Sequence, residues 1–351
     1  MEDLYIITGA AGHVGNTIAR TLTKAKKQVR AFVLPSDRTT GVFDPSVEII
    51  RGDIRIKKSM EPLFEGTKDK RIYFIHAAGI VTISSKFIQS VYDVNVTGTK
   101  NVVELCEKHN VEKLVYISSV HAIPEKKKGE VISETDDFKS SKLVGLYANT
   151  KAKATDIVLE AAKRGLNASV IHPSGIIGPY DFGSGHTTQL FIDYVSGSLT
   201  AAIKGGYDFV DVRDVANGII ACCEKGKKGE CYILSNRYVP VSEILNTLHD
   251  ITHKKKITLY LKIWFVKAVA PLCEVYYKLL RQTPLFTAYS IYTLGSNSLF
   301  SNEKAKRELG FTTRPVEQSI RDGVEWLRSQ GRITYDVKEE KTVIAAKKAL
   351  Q

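Results

Sequence analysis

The chain has 351 residues, 43 % of them apolar, enough for one large α/β domain with a smaller lobe or for two domains. Its five cysteines, Cys106, Cys222, Cys223, Cys231 and Cys273, form no Cys-x-x-Cys pair and no Cys/His cluster. They argue against a disulfide framework and a metal site and for a reducing, cytoplasmic setting, while the formal charge of +12 lies in short scattered lysine clusters with no nucleic-acid module among them.

The opening residues lack a basic leader and run directly into an apolar segment, so no signal peptide is expected. Leu4 to Ile7 predicts a strand and Asn16 to Ala25 a helix. Between them lies Thr8-Gly-Ala-Ala-Gly-His-Val-Gly15. Gly9 permits a tight turn, Gly12 lets a phosphate approach the backbone, and Gly15 lets the helix pack closely. With Ala11, His13 and Val14 they form a loop that offers helix N-terminal N–H groups to a pyrophosphate. The second strand, Gln28 to Leu34, leads into Pro35-Ser-Asp-Arg38. The third, Val47 to Arg51, ends in Gly52-Asp53-Ile54. Asp53 either reaches an adenine amino group or caps a turn. The fourth strand, Arg71 to His76, runs into Ala77-Ala78-Gly79, whose small side chains let a flat cofactor lie against the backbone. Tyr92 to His109 predicts a helix carrying Asn95, and Leu114 to Ile117 a fifth strand ending in Ser118-Ser119. Strands alternating with helices predict a doubly wound parallel sheet, with ligands beyond the carboxyl ends of its strands.

Pro124 to Lys139 reads as a surface loop. The next helix carries Tyr147 and Lys151, four residues apart and therefore on one face. No other tyrosine in the chain has a lysine at that spacing. An ammonium beside a phenol lowers the phenol pKa, so this pair is expected to move a proton near neutral pH. Ala168 to Ile171 predicts the sixth strand, followed by His172-Pro-Ser-Gly175. Phe209 to Val212 predicts a further strand, Arg213 to Glu224 a helix and Tyr232 to Leu234 the last strand. Leu259 to Leu280 is aromatic and branched, but Lys262, Lys267, Glu274, Lys278 and Pro271 argue against a membrane span. It is expected to pack a small lobe, wall a substrate site or lie at an interface, so peripheral membrane contact stays open. Ser301 to Leu309 and Val316 to Trp326 predict closing helices.

Taken in order, Thr8-Gly-x-x-Gly-x-x-Gly15, Gly52-Asp53, His76-x-Ala78, Asn95-Val-x-Gly-Thr99, Ser118-Ser119, Tyr147-x-x-Thr-Lys151, His172-Pro-Ser-Gly175 and Val210-Asp-Val-Arg-Asp-Val-Ala216 resemble the extended short-chain dehydrogenase/reductase superfamily. This superfamily includes the NAD-dependent epimerase/dehydratase family. Pro173-Ser-Gly-Ile-Ile-Gly-Pro179 is most similar to the dihydroflavonol 4-reductase and 3β-hydroxysteroid dehydrogenase branch. The resemblance implies a Rossmann-like fold: residues 1–175 and 207–236 bind NAD(P), 176–206 and 237–330 form a smaller, mostly helical substrate lobe, and 331–351 form a mobile tail. It implies Tyr147 as proton donor, Ser119 on the carbonyl oxygen and Lys151 on the nicotinamide ribose, with Ser118, Asn95, Pro173 and Ser174 beside the cofactor. His76 and His121 are left out of the catalytic set.

The resulting expectation is an oxidoreductase that interconverts a ketone and a secondary alcohol on a bulky apolar substrate. A nucleotide-sugar epimerase or dehydratase and a non-catalytic dinucleotide sensor are the alternatives. The second strand lacks the acidic residue that bonds a ribose 2′-OH in NAD enzymes, and Ser36 and Arg38 stand close to that end, favouring NADP(H) over NAD(H). Asp37 argues the other way. The aromatic residues Trp264, Phe265, Tyr276, Tyr277, Phe286 and Tyr289 are expected to wall the substrate site. The protein is expected to act as a monomer or homodimer.

Overall fold

The structure, a computed structural model, describes residues 1–82, 86–138, 143–183, 185–266 and 288–335. The large unit contains β1 (Glu2–Thr8), α1 (His13–Lys24), β2 (Gln28–Val33), β3 (Glu48–Arg51), β4 (Lys70–His76), α2 (Gln89–Tyr92), α3 (Thr99–Lys108), β5 (Lys113–Ile117), α4 (Leu146–Arg164) and β6 (Ala168–Pro173). β7 (Gly175–Ile177), α5 (His186–Ser196) and β8 (Ala202–Ile203) then build part of the lobe. β9 (Gly206–Asp211), expected in the large unit, pairs with β7 in the lobe instead; the chain then returns through α6 (Val212–Lys225) and β10 (Cys231–Leu234) and adds β11 (Arg237–Pro240), α7 (Val241–Thr252) and β12 (Tyr260–Leu261) to the lobe.

Seven strands form one parallel sheet in the order β10-β6-β5-β4-β1-β2-β3. Period-two alternation explains why both faces are buried. Leu4 and Ile6 of β1, Ile72 and Phe74 of β4, and Leu114 and Tyr116 of β5 face α3 and α4. Their neighbours Tyr5, Ile7, Tyr73, Ile75, Val115 and Ile117 face α1 and α6. Strand order reverses between β1 and β4, where Thr8 pairs with His76 and their carboxyl ends open a crevice.

The lobe has a core of its own. Val241, Ile244, Leu245 and Leu248 of α7 repeat at helical spacing, as do Val316, Ile320 and Val324 of the closing helix Val316–Ser329, and both faces meet there. The three-stranded sheet β11-β9-β7 and the β12-β8 pair complete the lobe.

Two further segments pack differently from expectation. Ala305, Leu309 and Phe311, expected in the lobe, pack on the α6 face of the large sheet because the helix Glu303–Leu309 turns its apolar side there. Ile333 and Tyr335, expected in the tail, bury 94 % and 91 % of their surface in the lobe core, so the packed chain runs to residue 335. The remaining tail, 336–351, lies outside the described residues. Among the described residues, no helix is long and apolar enough to cross a membrane.

The Val210–Ala216 run clips the two units together. Arg213 binds Asp211 at 2.7 Å and Asp322 at 2.6 Å, and Arg314 binds Asp214 through two bonds of 3.0 and 2.7 Å. Asp322 and Arg314 come from the chain's last described segments, so this network ties the closing helix to β9 and α6. Burial pushes the Asp211 carboxyl up, but its bonds to Arg213 outweigh that and hold it below the usual range.

Candidate active site

The crevice begins at the glycine loop. Gly9 has φ +64°, a conformation that L side chains rarely adopt, and a Cβ there would lie 2.6 Å from the Ala78 nitrogen. The close approach of β1 and β4 therefore requires a glycine. At Gly15 a Cβ would meet the Gly9 carbonyl oxygen at 2.3 Å, so helix α1 starts directly on the turn. Gly12 is the N-cap of α1 and has space in front of it, its nearest neighbour being the Gly9 oxygen at 3.3 Å. The first-turn N–H groups of α1 have no carbonyl one turn back, which leaves an anion-binding helix end at the switch point. Ala11 and Val14 are half-buried in that turn, and His13 directs Nε2 to the Pro179 carbonyl at 2.9 Å.

The far wall comes from α4. Its N-cap is Gly145, with φ 91°, and small side chains at Ala148, Ala152 and Ala154 let it sit close to its neighbours. Tyr147 and Lys151, 8 % and 5 % exposed, lie on this packed face. Lys151 Nζ donates to the Ile117 carbonyl at 2.6 Å and to the Tyr116 hydroxyl at 3.2 Å, and stands 4.8 Å over the Tyr116 ring. A Cβ on Gly79 would come within 3.4 Å of Lys151 Nζ and 3.3 Å of Asn95 Oδ1. The ends of β1, β4 and β5 and the start of α4 thus bring Gly9, Ala77, Ala78, Gly79, Ser118, Ser119, Tyr147 and Lys151 to one place. A flat dinucleotide fits this cradle of glycines, free N–H groups and one ammonium.

The ammonium does not act on the phenol as expected. Burial raises the Tyr147 pKa to about 12, the adjacent Ser119 hydroxyl opposes that rise, and Lys151 has no part in the shift. The reason is geometric, since Lys151 is turned toward the Ile117 carbonyl. Burial also pulls Lys151 itself down to about 7. The protonated phenol is the form suited to donating to a carbonyl oxygen. Ser119 is 6 % exposed and is held by His172, whose Nδ1–H donates to the Ser119 carbonyl at 2.8 Å.

Asn95 sits in a π-helical turn, Asp93–Gly98, that interrupts the run from α2 to α3. Its Oδ1 accepts the Ile80 N–H at 2.8 Å, and its Nδ2 donates to the Ile80 carbonyl at 3.0 Å and to Thr150 Oγ1 at 3.1 Å. Asn95 therefore locks the chain after β4 to α4. His76 is buried between Thr8 Oγ1 at 2.7 Å and Thr99 Oγ1 at 3.0 Å, and burial drops its pKa to about 3. Ser118 pairs with Thr155 at 2.7 Å. Pro173 ends β6 beside Leu234, and Ser174 follows it, 7 % exposed.

Other predicted contacts lie farther out. The Asp53 carboxylate accepts the Arg55 backbone N–H at 2.9 Å and binds its guanidinium at 2.5 Å, so it is engaged in the turn. The Ile54 side chain fills the space over Gly98. Ser36 and Arg38 are exposed beyond β2, and Asp37 is taken up by Thr39 at 2.8 and 2.6 Å. Arg51, absent from the predicted set, donates to the Leu34, Pro35 and Asp37 carbonyls at 3.3, 3.4 and 3.0 Å. It places a second cation at the end of β2.

Sequence reasoning also missed the substrate-side wall. His121 meets the Tyr147 ring edge-on, with centroids 6.1 Å apart, and stacks on Tyr207, whose hydroxyl lies 3.3 Å from His121 Nε2. Burial holds His121 near pKa 4, hence neutral. Behind this pair is a cavity of about 40 Å³ lined by the apolar Ile123, Ile132, Val144 and Phe300 and by polar side chains. Glu125 is the single charged group among its described lining residues, and both its oxygens are used, by the Tyr292 hydroxyl and by the Asn297 N–H at 2.6 Å. Of the predicted aromatic wall, the described Trp264 and Phe265 do not line this cavity. Trp264 and Phe265 are 67 % and 44 % exposed, Tyr276, Tyr277 and Phe286 lie outside the described residues, and the Tyr289 side chain is likewise not described.

The model of the NAD dependent epimerase/dehydratase family matches residues 5–235. The sterol demethylase protein B of Methylococcus capsulatus is 29 % identical over 333 residues, covering 93 % of this chain and 99 % of that protein. A putative dihydroflavonol 4-reductase of Synechocystis is 28 % identical over 345 residues, covering 95 % and 97 %. The crystal structure of gox2253 superposes with a TM-score of 0.81 at 29 % identity, covering 95 % of this chain and all of that one.

Proposed function

The chain belongs to the NAD dependent epimerase/dehydratase family, and from that premise we propose that it is an NAD(P)-dependent oxidoreductase interconverting a ketone and a secondary alcohol on a bulky apolar substrate. The observation that carries this reading is the wall beside Tyr147. Val120, Ile123, Ile132, Leu143, Val144 and Phe300 give it apolar surface between polar side chains, its one carboxylate is already bonded, and no cation stands among its described lining residues. Such a wall suits an aliphatic or aromatic frame, where each buried apolar Å² contributes roughly 25 cal/mol. The relatives named for sterol and dihydroflavonol chemistry support the same class.

In this reading Ser119 fixes the carbonyl oxygen by hydrogen bonding, and Tyr147, kept protonated by burial, donates its proton to that oxygen. The nicotinamide, when bound, supplies the hydride. Lys151 and Asn95 hold the cofactor-side wall, Lys151 through its ammonium and Asn95 by fixing the Ile80 backbone. Gly9, Gly12 and Gly15, with the N–H groups of the α1 start, would hold the pyrophosphate.

We favour NADP(H) as cofactor. Ser36 and Arg38 are exposed at the end of β2, Arg51 adds a cation there, and Thr39 holds one oxygen of the Asp37 carboxylate in the turn. Purified protein screened with NADPH and NADH against ketones on steroid and flavonoid frames tests both statements.

A second reading, epimerisation or dehydration of a nucleotide-linked sugar, draws on one observation. A larger cleft next to the cavity beside His121 carries Lys128, Lys204 and Lys262, charges that a diphosphate would accept. Net consumption of reduced cofactor separates the readings, because an epimerase returns its cofactor unchanged.

A further inference from the structure

We propose that this lysine cleft is an anion site that receives the acidic end, a carboxylate or phosphate, of an otherwise apolar substrate. The cleft measures about 870 Å³, and its described lining contains three lysines and no Asp or Glu. Strand register makes two of the lysines neighbours. β8 and β12 run parallel with Ala202 opposite Tyr260 and Ile203 opposite Leu261, and the Lys204 N–H continues the ladder to the Leu261 carbonyl at 2.8 Å. Lys204 and Lys262 are the next residues of the two strands and therefore neighbours. Like charges side by side on paired strands repel, and a bound anion removes the repulsion. No carboxylate lies within ion-pair distance of Lys128, Lys204 or Lys262 among the described residues.

The third lysine stands on a fixed turn. Asn297, 8 % exposed, donates through Nδ2 to the Lys127 and Glu130 carbonyls at 2.9 and 2.8 Å, which holds Lys128 at the rim. Ser298, also in the lining, is 3 % exposed, and its hydroxyl has no hydrogen-bond partner. A buried hydroxyl without a partner costs free energy that a ligand oxygen would relieve.

Two further features favour an amphiphile over a bare anion or a nucleotide. Ile203, Ile263, Leu294 and Leu299 line the same cleft, so its walls alternate charge with apolar surface. Ser296 and Asn297 line both this cleft and the cavity beside His121, so the two adjoin. That the acid belongs to the substrate rests on the oxidoreductase reading; the anion site does not.

Equilibrium titration of the full chain with octyl phosphate, octanoate, octanol and UDP tests the proposal, read by calorimetry and by the fluorescence of Trp264, two residues beyond Lys262. Octyl phosphate and octanoate should bind saturably, at least about tenfold tighter than octanol, with a preference that fades as salt rises. The double variant Lys204→Gln/Lys262→Gln should lose that preference while still binding octanol. The relative affinity of octanoate and octyl phosphate identifies which acid the site prefers. Octanol binding as tightly as the acids would overturn the proposal, as would a double variant that keeps the preference or UDP outcompeting octyl phosphate. An intact acid preference in a protein that reduces no ketone would sink the catalytic reading and leave the anion site standing.

Discussion

Replacing Lys151 by methionine should make the cofactor-free protein more stable at pH 6, although it removes a residue placed at the centre of the site. Burial takes the ammonium pKa from its ordinary 10.5 to about 7. At about 1.36 kcal/mol per pH unit, keeping the charged form buried costs the folded state roughly 5 kcal/mol. Methionine removes that cost but leaves the Ile117 carbonyl and the Tyr116 hydroxyl without their donor, a loss of about 1–2 kcal/mol. The net expectation at pH 6 is a variant more stable by about 3 kcal/mol. The sign depends on pH. Below about pH 7 Lys151 is charged in both states, and the folded state bears the full cost. Between about 7 and 10.5 the unfolded chain holds a proton that the folded chain has released, so wild type gains stability as pH rises. The advantage of the variant should therefore shrink steadily over that range and reverse by about pH 10. Urea denaturation of both proteins at a series of pH values, taken as a difference, cancels groups common to both. A difference that does not change with pH, or a variant less stable at pH 6, would refute the reasoning.

Tyr147→Phe keeps the ring and removes the proton, so turnover should fall by about two or more orders of magnitude while cofactor titration stays unchanged; near-normal turnover would remove Tyr147 as the acid. Gly9→Ala forces a Cβ into the Ala78 backbone at a positive φ, so dinucleotide affinity should fall and the melting temperature should drop by an amount corresponding to about 1–3 kcal/mol. Arg314→Ala takes both guanidinium bonds from Oδ1 of the buried Asp214 and leaves only the backbone N–H on Oδ2, and stability should fall by about 3–5 kcal/mol on thermal or urea unfolding. Measured Kd values should favour NADPH over NADH, and Arg51→Ala should narrow that gap; a clear preference of wild type for NADH would reverse the assignment.

The large sheet was legible because its signals are local. Apolar runs of strand length end in Gly9, Gly52, Gly79 and Ser118, and each marks a turn at a carboxyl end. The Tyr147/Lys151 spacing fixed a shared helix face, and that face is the one that packs inward. What the spacing lacked was direction within the face. The Ile117 carbonyl, from a strand 34 residues earlier, captures the lysine and takes it off the phenol. The same limit hid the substrate wall. His121 and Tyr207 are 86 residues apart and meet only in the fold, where β9 carries Tyr207 onto the turn after β5. Asp53 was ambiguous in sequence because Arg55, two residues on, serves equally well as a turn partner, and in the fold it does. The short lobe strands β7, β8, β11 and β12 have two to four residues each, too few to show a period.

The central claim is tested most directly by following reduced cofactor while purified protein meets two substrate sets, apolar ketones on steroid or flavonoid frames and UDP- or dTDP-sugars. The account predicts net oxidation of NADPH or NADH with at least one apolar ketone, saturating in ketone and abolished in Tyr147→Phe. No net oxidation with any ketone, together with turnover of a nucleotide sugar that leaves the cofactor unchanged, would contradict it.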